Sequence, residues 1–394
     1  MNAVAPSRAP RGLRGAIVAV TVLLLLVVLF EIAARVLPID AVSMAKLDPI
    51  AANLKNSRIG PHPYLAYAVR PDFVLEPSAK QPLSIRHNSL GFRGRETTWE
   101  KPAGTYRIVC LGGSSTYGFG PTSNETNWTE RLEVHLNEAQ PGKTVEVINA
   151  GCQGYSTFES LINLELRAID FRPDLVIVYL TINDMRCVLY PNVAHDNTHW
   201  RAVWPTARKE KLLELLESSR TYLAWRRYCT DWFAEQSDMG TWLIRDFGKY
   251  ADDFLQPTDV ELGYANYGRN LVSIINVAHA HGAEVLLVPE ATRMGDFERF
   301  GSKDIQRDAF ARLCAIEEQI AVERSVPFTR SARSVLEAEA ARQAPEYVEH
   351  PKVDANGKPM KDGIFTNEVH MTDAGCDLLA KTLAEAILGM KLVR

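Results

Sequence analysis

YRIVCLGGSSTYGFG, residues 106–120, runs a continuous apolar, β-branched segment straight into a corner of glycines and hydroxyls. A short apolar run that ends in turn residues reads as a buried strand. Three more such runs follow at 145–149 (VEVIN), 174–180 (DLVIVYL) and 284–289 (EVLLVP). Helical patterns occupy 126–139, 158–171, 264–281, 306–323 and 373–389. Strands alternating with helices predict an α/β protein, a three-layer α/β/α sandwich around a central, mostly parallel sheet. A further short strand is expected near Val326 to Phe328.

Composition narrows what this sheet can serve. At 394 residues and 46% hydrophobic, the chain can bury a full core. A net charge of -4 offers no basic field for a polyanion, so nucleic acid is not an expected partner.

Before the sheet comes a different kind of segment. Arg8, Arg11 and Arg14 precede an unbroken apolar run from Ala16 to Phe30, which continues past Glu31 to Ala34 before Arg35 and Pro38. A helix needs roughly 20 residues to cross the hydrocarbon layer, so 15–37 reads as a transmembrane signal anchor with Glu31 at the far interface. The arginines place residues 1–14 in the cytoplasm and everything beyond the anchor outside it, in the periplasm or its equivalent. A cleaved signal peptide is the rival reading; no small-x-small cleavage site follows at once. Residues 38–105 read as a connector, with a turn-like NSLGFRG at 88–94, and 106–394 as the folded domain.

Between the third and fourth strands, 186–262 interrupts the alternation with a charged, helical insertion carrying Trp200, Trp204, Trp225, Trp232 and Trp242. The tryptophans either build a core of the insertion's own, in keeping with how buried Trp usually is, or line a lid facing substrate or membrane. The six cysteines are scattered, unlike a staple framework or a metal site, and read as small buried hydrophobes. Cys152 and Cys187 fall in neighbouring loops, where a disulfide is expected in an oxidising compartment.

In an open parallel sheet, ligands bind beyond the carboxyl ends of the strands. That rule gathers Gly112 to Thr116, Asn149 to Gly154 and Thr181 to Asp184 on one rim, joined by Phe365 to Asp373 just before the last helix. A serine hydroxyl needs a neighbouring imidazole to take its proton, and His370 is the candidate. The negative oxygen formed on an attacked carbonyl needs donors aimed at it in advance. The backbone N–H groups of Ser114 and Gly154 and the amide of Asn183 are placed to supply them.

GGSST, NAGCQG, TIND and NEVH, in this order, resemble the four signature blocks of the SGNH (GDSL-type) esterase and lipase superfamily, with its flavodoxin-like layering. The resemblance implies Ser114, Gly154, Asn183 and His370 as the four signature residues. It also makes Ser114, rather than Ser115, the nucleophile, because G-G-S-S-T aligns with the family's G-D-S-x-T. NSLGFRG is similar to a segment common in membrane-anchored bacterial members. No G-x-S-x-G elbow surrounds either serine, against an ordinary α/β-hydrolase site.

Three departures stand out. The family's aspartate of the first block is Gly113, and a glycine two places before Asn183 is Thr181, expected to narrow the site. The family's acid, three residues before the histidine, is Asn367, an amide that can orient imidazole without stabilising imidazolium. Asn367 is therefore read as the orienter in Ser114–His370 chemistry, with Asp362, Glu368, Asp373 or a backbone carbonyl as alternatives; Asp373 is expected to cap the final helix.

Other motifs read as ordinary structure. His195 and His199 lack a third metal ligand and are expected to be solvated. Asn124 and Asn127 match a glycosylation sequon that arises often by chance, and Glu290 and Asp296 read as loop caps bordering the cleft. The resemblance implies an exported, membrane-anchored serine esterase acting through an acyl-enzyme on a lipid or O-acetyl glycan ester, with no cofactor or metal. The alternatives are an O-acetyltransferase of an envelope polysaccharide, which differs only in the acceptor, and a catalytically silent glycan-binding protein.

Overall fold

The computed structural model describes residues 11–36, 58–60, 62–65, 67–78, 82–190, 192–200, 219–222, 259–293, 303–350, 352–353 and 360–393. They fall into two compact units. The first holds helix α1 (Arg11–Val36) and residues 219–222; the second holds everything described from Arg58 to Ala202 and from Asp259 on.

Within α1, Gly15–Ala33 is an apolar stretch of 19 residues with mean hydropathy 2.9. At about 1.5 Å per residue it approaches the ~30 Å of a bilayer's hydrocarbon core. Glu31 accepts hydrogen bonds from the Ser219 hydroxyl (2.8 Å) and the backbone N–H groups of Arg220 (3.1 Å) and Thr221 (3.0 Å). Arg8, Pro38, Cys229, Trp204, Trp225, Trp232, Trp242 and Asp296 lie outside the described residues.

The second unit is built on four parallel strands in the order β6-β5-β7-β8: β5 (Thr105–Gly112), β6 (Thr144–Asn149), β7 (Leu175–Tyr179) and β8 (Glu284–Leu287). These are the four runs expected from the sequence. The short strand expected near Val326 to Phe328 is reduced to a single parallel bridge between Leu287 and Phe328.

Alternation along each strand sends neighbouring side chains to opposite faces, and each face is covered. Val109, Leu111, Val176 and Val178 pack on one side with α4 (Thr157–Leu166), α5 (Ile182–Leu189), α6 (Val260–Ala280) and α7 (Lys303–Arg324). Ile108, Cys110, Leu175 and Ile177 pack on the other with α3 (Trp128–Ala139), α8 (Ser331–Glu349) and α9 (Asp373–Gly389). In α9 the buried Cys376, Leu379, Ala380, Leu383, Ala384 and Ile387 follow the three-and-four spacing of a helix with one apolar stripe. This is the three-layer sandwich the sequence predicts.

Residues 58–105 were expected to be a connector, yet from Arg58 on they pack into the sheet-bearing unit. Two short antiparallel ladders form there: β1 (Ile59–Gly60) with β2 (Ala68–Val69), and β3 (Val74–Leu75) with β4 (Ile85–Arg86). The NSLGFRG turn folds around Asn88, whose Oδ1 accepts the N–H groups of Leu90 (3.1 Å) and Phe92 (2.9 Å). Arg93, 2% exposed, sends its guanidinium inward.

Of the insertion, Trp200 is fully buried in the sheet's own core, edge-on to Tyr190 with ring centroids 5.5 Å apart. This tryptophan is thus buried, but in the core of the sheet rather than in one of the insertion's own. Cys152 and Cys187 are both buried and are not joined in a disulfide. Cys187 sits within α5 among Val188, Leu189 and Trp200, where it packs as a small hydrophobe.

Candidate active site

Strand β5 ends at Gly112, and the chain turns at once into the short helix α2 (Ser114–Tyr117). This turn leaves Ser114 half-buried at the sheet's carboxyl rim, while Ser115 is only 3% exposed with its hydroxyl toward the Val369 carbonyl. Ser114 Oγ lies 2.7 Å from His370 Nε2. Of the two adjacent serines, only Ser114 meets the histidine.

A tight reversal before α9 presents that histidine. Phe365 and Met371 form an antiparallel bridge, and Thr366 N–H donates to the His370 carbonyl at 2.8 Å. At its base, Asp362 accepts the N–H groups of Ile364 (2.8 Å) and Phe365 (2.7 Å) and pairs with Arg293 Nη1 at 3.0 Å. Asn367 sits beside the ring, with Oδ1 accepting the N–H groups of Val369 (3.1 Å) and His370 (2.9 Å) and Nδ2 2.8 Å from His370 Nδ1. Phe119, 37% exposed, lies against the imidazole with centroids 5.6 Å apart, and the Arg58 guanidinium lies 5.1 Å over Phe119.

The facing loops bring in the other signature residues. Gly154 occupies a turn closed by Tyr155 N–H to the Cys152 carbonyl (3.1 Å), at φ +72°, the left-handed conformation such a turn requires at its third residue. Asn183, in the first turn of α5, donates from Nδ2 to the Tyr155 carbonyl at 2.8 Å and accepts at Oδ1 from Arg186 Nη1 at 3.3 Å. One of its two amide hydrogens is thus spent on Tyr155. At Gly113, where the family has aspartate, a Cβ would stand 2.6 Å from Asn183 Nδ2, so a side chain there requires the amide to shift. The amide fills the space that a side chain at 113 would need.

Beneath this rim, Glu290 is 1% exposed and its Oε2 accepts the N–H groups of Thr181 (2.9 Å) and Ile182 (2.8 Å). A carboxylate at the start of α5 satisfies two helix N–H groups that have no partner within the helix. Burial pushes the Glu290 carboxyl above its ordinary range, and the Ile182 N–H pulls the other way. The expected loop-capping role therefore has a definite target, the helix that carries Asn183.

On the far side of the serine turn, Arg93 donates to the carbonyls of Tyr117 (3.1 Å), Gly118 and Ser123 (2.9 Å) and to Asn124 Oδ1 (2.9 Å). His87 Nδ1 contacts the Arg70 carbonyl at 2.8 Å, so that nitrogen carries the proton and Nε2 accepts from the Tyr117 hydroxyl at 2.8 Å. Phe119, Arg93 and His87 were not singled out from the sequence. Their partners are a ring face, backbone carbonyls and a phenol, none of which leaves a spacing pattern.

Several expectations are corrected. Asp373 does not cap α9; Thr372 does, accepting Gly375 N–H at 3.1 Å, because its hydroxyl stands one residue before the first helical turn. Asp373 instead accepts from Thr122 N–H (2.7 Å) and hydroxyl (2.6 Å). Thr181 is fully buried, with its hydroxyl on the Leu180 carbonyl, and does not line the cleft. His199 is 7% exposed rather than solvated, with Nε2 on the Cys187 carbonyl at 3.0 Å and Nδ1 accepting from Ala194 N–H. Asn127, 1% exposed, caps α3 by accepting Trp128 N–H. Among the described residues no group of three or more His, Cys, Asp or Glu is placed to hold a metal ion.

Solved structures similar to this chain include an acetylxylan esterase from Geobacillus stearothermophilus, at 17% identity over 73% of this chain and 96% of that one, with a TM-score of 0.41. A two-domain esterase active on acetylated mannans matches at 15% identity over 73% of this chain and 50% of that one, TM-score 0.41. A putative acylhydrolase from Bacteroides fragilis matches at 16% identity over 73% and 88%, TM-score 0.37. No curated protein matches the sequence. The sequence profile described as "GDSL-like Lipase/Acylhydrolase family" matches residues 110–378, from the middle of β5 into α9. That span takes in the serine turn, both facing loops and the histidine reversal; the chain belongs to this GDSL-like lipase/acylhydrolase family and is a hydrolase of ester bonds.

Proposed function

We propose that the chain is an exported, membrane-anchored serine esterase in which Ser114 is the nucleophile and His370 moves the proton. The observation that carries the reading is the 2.7 Å contact between Ser114 Oγ and His370 Nε2 at the carboxyl rim of the sheet. Ser114 attacks the ester carbonyl, and the N–H groups of Ser114 and Gly154 with the Asn183 amide hold the oxygen that becomes negative. The alcohol leaves with a proton from His370, and water releases the acyl group by the same route. Asn367 positions the ring. The substrate class is an ester on an envelope glycan, such as an O-acetyl group, or on a lipid.

The apolar Gly15–Ala33 helix supports anchoring, and Arg8, Arg11 and Arg14 ahead of it support a cytoplasmic N-terminus with the esterase unit on the other side. The amide at Asn367 favours one second reading, a silent glycan-binding protein. The full-length chain in detergent, assayed with p-nitrophenyl acetate and longer esters, separates the two. Turnover lost in Ser114→Ala and His370→Ala but kept in Ser115→Ala is expected. A folded chain that neither turns over nor is labelled at Ser114 by a fluorophosphonate sinks the esterase reading.

A further inference from the structure

We infer that Asn367 holds His370 in the tautomer with its proton on Nε2, so that the resting imidazole donates to Ser114 instead of accepting from it. The inference deepens the esterase reading and rests on it. Its basis is the hydrogen-bond inventory of one amide. Asn367 Oδ1 faces two backbone N–H groups, those of Val369 and His370, at 3.1 and 2.9 Å. Both can only donate, so the atom that meets them is the oxygen. The other end of the amide, which faces His370 Nδ1 at 2.8 Å, is therefore the NH₂ group. An NH₂ group also only donates, so Nδ1 is the acceptor and carries no proton. In a neutral imidazole the proton then resides on Nε2, 2.7 Å from Ser114 Oγ.

A carboxylate at 367 would behave in the opposite way. One oxygen would keep the two backbone N–H groups, and the other would accept Nδ1–H, freeing the Nε2 lone pair for the Ser114 proton. The amide cannot reach that state by turning over, because its NH₂ would then confront the N–H groups of Val369 and His370. Leaving those two part-buried donors unpaired costs up to about 1–3 kcal/mol each. Asn367 is thus a positioning residue that places the proton on the wrong nitrogen for general-base catalysis.

Acylation must begin with a transfer that a carboxylate would make unnecessary: Nε2 gives up its proton to solvent and Nδ1 takes one, against the amide. Only then can Nε2 accept the Ser114 proton as the Oγ–C bond forms, and return it to the alkoxide as the C–O bond breaks. Acylation leaves the ring with its proton on Nδ1, so water attacking the acyl-enzyme meets the same obstacle once the proton has returned to Nε2. The native chain is consequently a slow esterase whose chemistry is restrained at a single atom pair, and Asn367→Asp is expected to raise Ser114-dependent turnover by roughly 10² to 10⁴-fold, the scale of the reverse change in a serine triad.

The test pairs this variant with a direct view of the ring. In full-length, ¹⁵N-histidine-labelled protein, with His370 assigned by comparison with His370→Gln, the ring proton is expected on Nε2 in the native chain and on Nδ1 in Asn367→Asp. Burst and steady-state rates with p-nitrophenyl acetate should rise in Asn367→Asp and vanish in the Ser114→Ala, Asn367→Asp double variant. A native ring carrying its proton on Nδ1, or a Ser114-dependent rate that Asn367→Asp leaves within about threefold, overturns the inference and leaves the esterase reading intact. Turnover that survives Ser114→Ala overturns the esterase reading instead. The native ring spectrum decides the tautomer even where Asn367→Asp fails to fold.

Discussion

Arg93 Nη1 donates to the carbonyl of Tyr117 at 3.1 Å, at the end of the short helix that begins with Ser114. Gly118, Ser123 and Asn124 take three more hydrogens of the same guanidinium. A buried cation satisfied by oxygens of one loop fixes that loop's path. Arg93→Ala is expected to destabilise the chain by at least ~2 kcal/mol, since several buried acceptors lose their donor. Arg93→Lys keeps the charge but cannot span four acceptors, so it should recover less than half of the loss. Urea denaturation of the three proteins, with esterase rates taken well below each midpoint, checks both; equal stability of Arg93→Ala and the native chain refutes the idea.

Asp362 and Arg293 form an ion pair whose side chains are 1% and 16% exposed. Asp362→Ala removes the arginine's buried carboxylate and the acceptor of two backbone N–H groups, and is expected to cost about 3–5 kcal/mol. Asp362→Asn keeps an acceptor for Ile364 and Phe365. Its esterase rate should stay within about tenfold of native, whereas a residue acting as the triad's acid would lose ~10⁴ on the same change. A loss on that larger scale would make Asp362, rather than Asn367, the residue that orients His370.

Glu290 holds the start of α5 through Thr181 and Ile182, and the next residue is Asn183. Glu290→Ala lets that turn relax and should lower kcat by up to ~10²-fold with KM little changed, as for the weakening of one oxyanion donor. Glu290→Gln retains an acceptor oxygen and should lose far less. A rise in KM at constant kcat would instead mean that Glu290 shapes ground-state binding.

Two buried groups give stability opposing dependences on pH. Burial lowers His87 from 6.5 to about 4, so it stays neutral in the folded chain and its contribution, present above 6.5, is lost as pH falls through about 4. Burial raises Asp184 from 3.8 to about 7, against the pull of its bonds to Thr157, so its contribution is present below 3.8 and is lost as pH rises through about 7. Between about 4 and 7 the two largely offset each other. Relative to the native chain, His87→Gln is therefore expected to shift the pH slope toward gain of stability on acidification across this window, and Asp184→Asn to shift it toward loss. Denaturation midpoints at several pH values show whether the two slopes separate with these signs.

Which of these features the sequence announces follows a physical pattern. Strands β5 to β8 and helix α9 were legible because burial imposes a period on side chains that is written into the residue order. Helix α8 was not: Ser331–Glu349 buries only Ala332, Leu336 and Ala340, carries Pro345 inside and shows little contrast between faces. At the site, Ser114, Asn183 and His370 were found by the ends of elements, where position follows from topology. Arg93 was passed over within NSLGFRG because its partners are mainly backbone carbonyls, which every residue possesses. The identity of the α9 cap turned on a single residue, Thr372 in place of Asp373, a precision that pattern reading does not reach.

The contact between Ser114 and His370 joins residues 256 positions apart. The serine turn follows β5, the first strand of the parallel sheet, while the histidine immediately precedes α9, the last described helix. During synthesis Ser114 therefore emerges long before His370, and every intermediate length of chain holds the serine without that histidine. Closure of so long a loop is among the slow steps of folding. Under the proposed pairing, hydrolytic capacity appears only once the last part of the chain has folded onto the first strand.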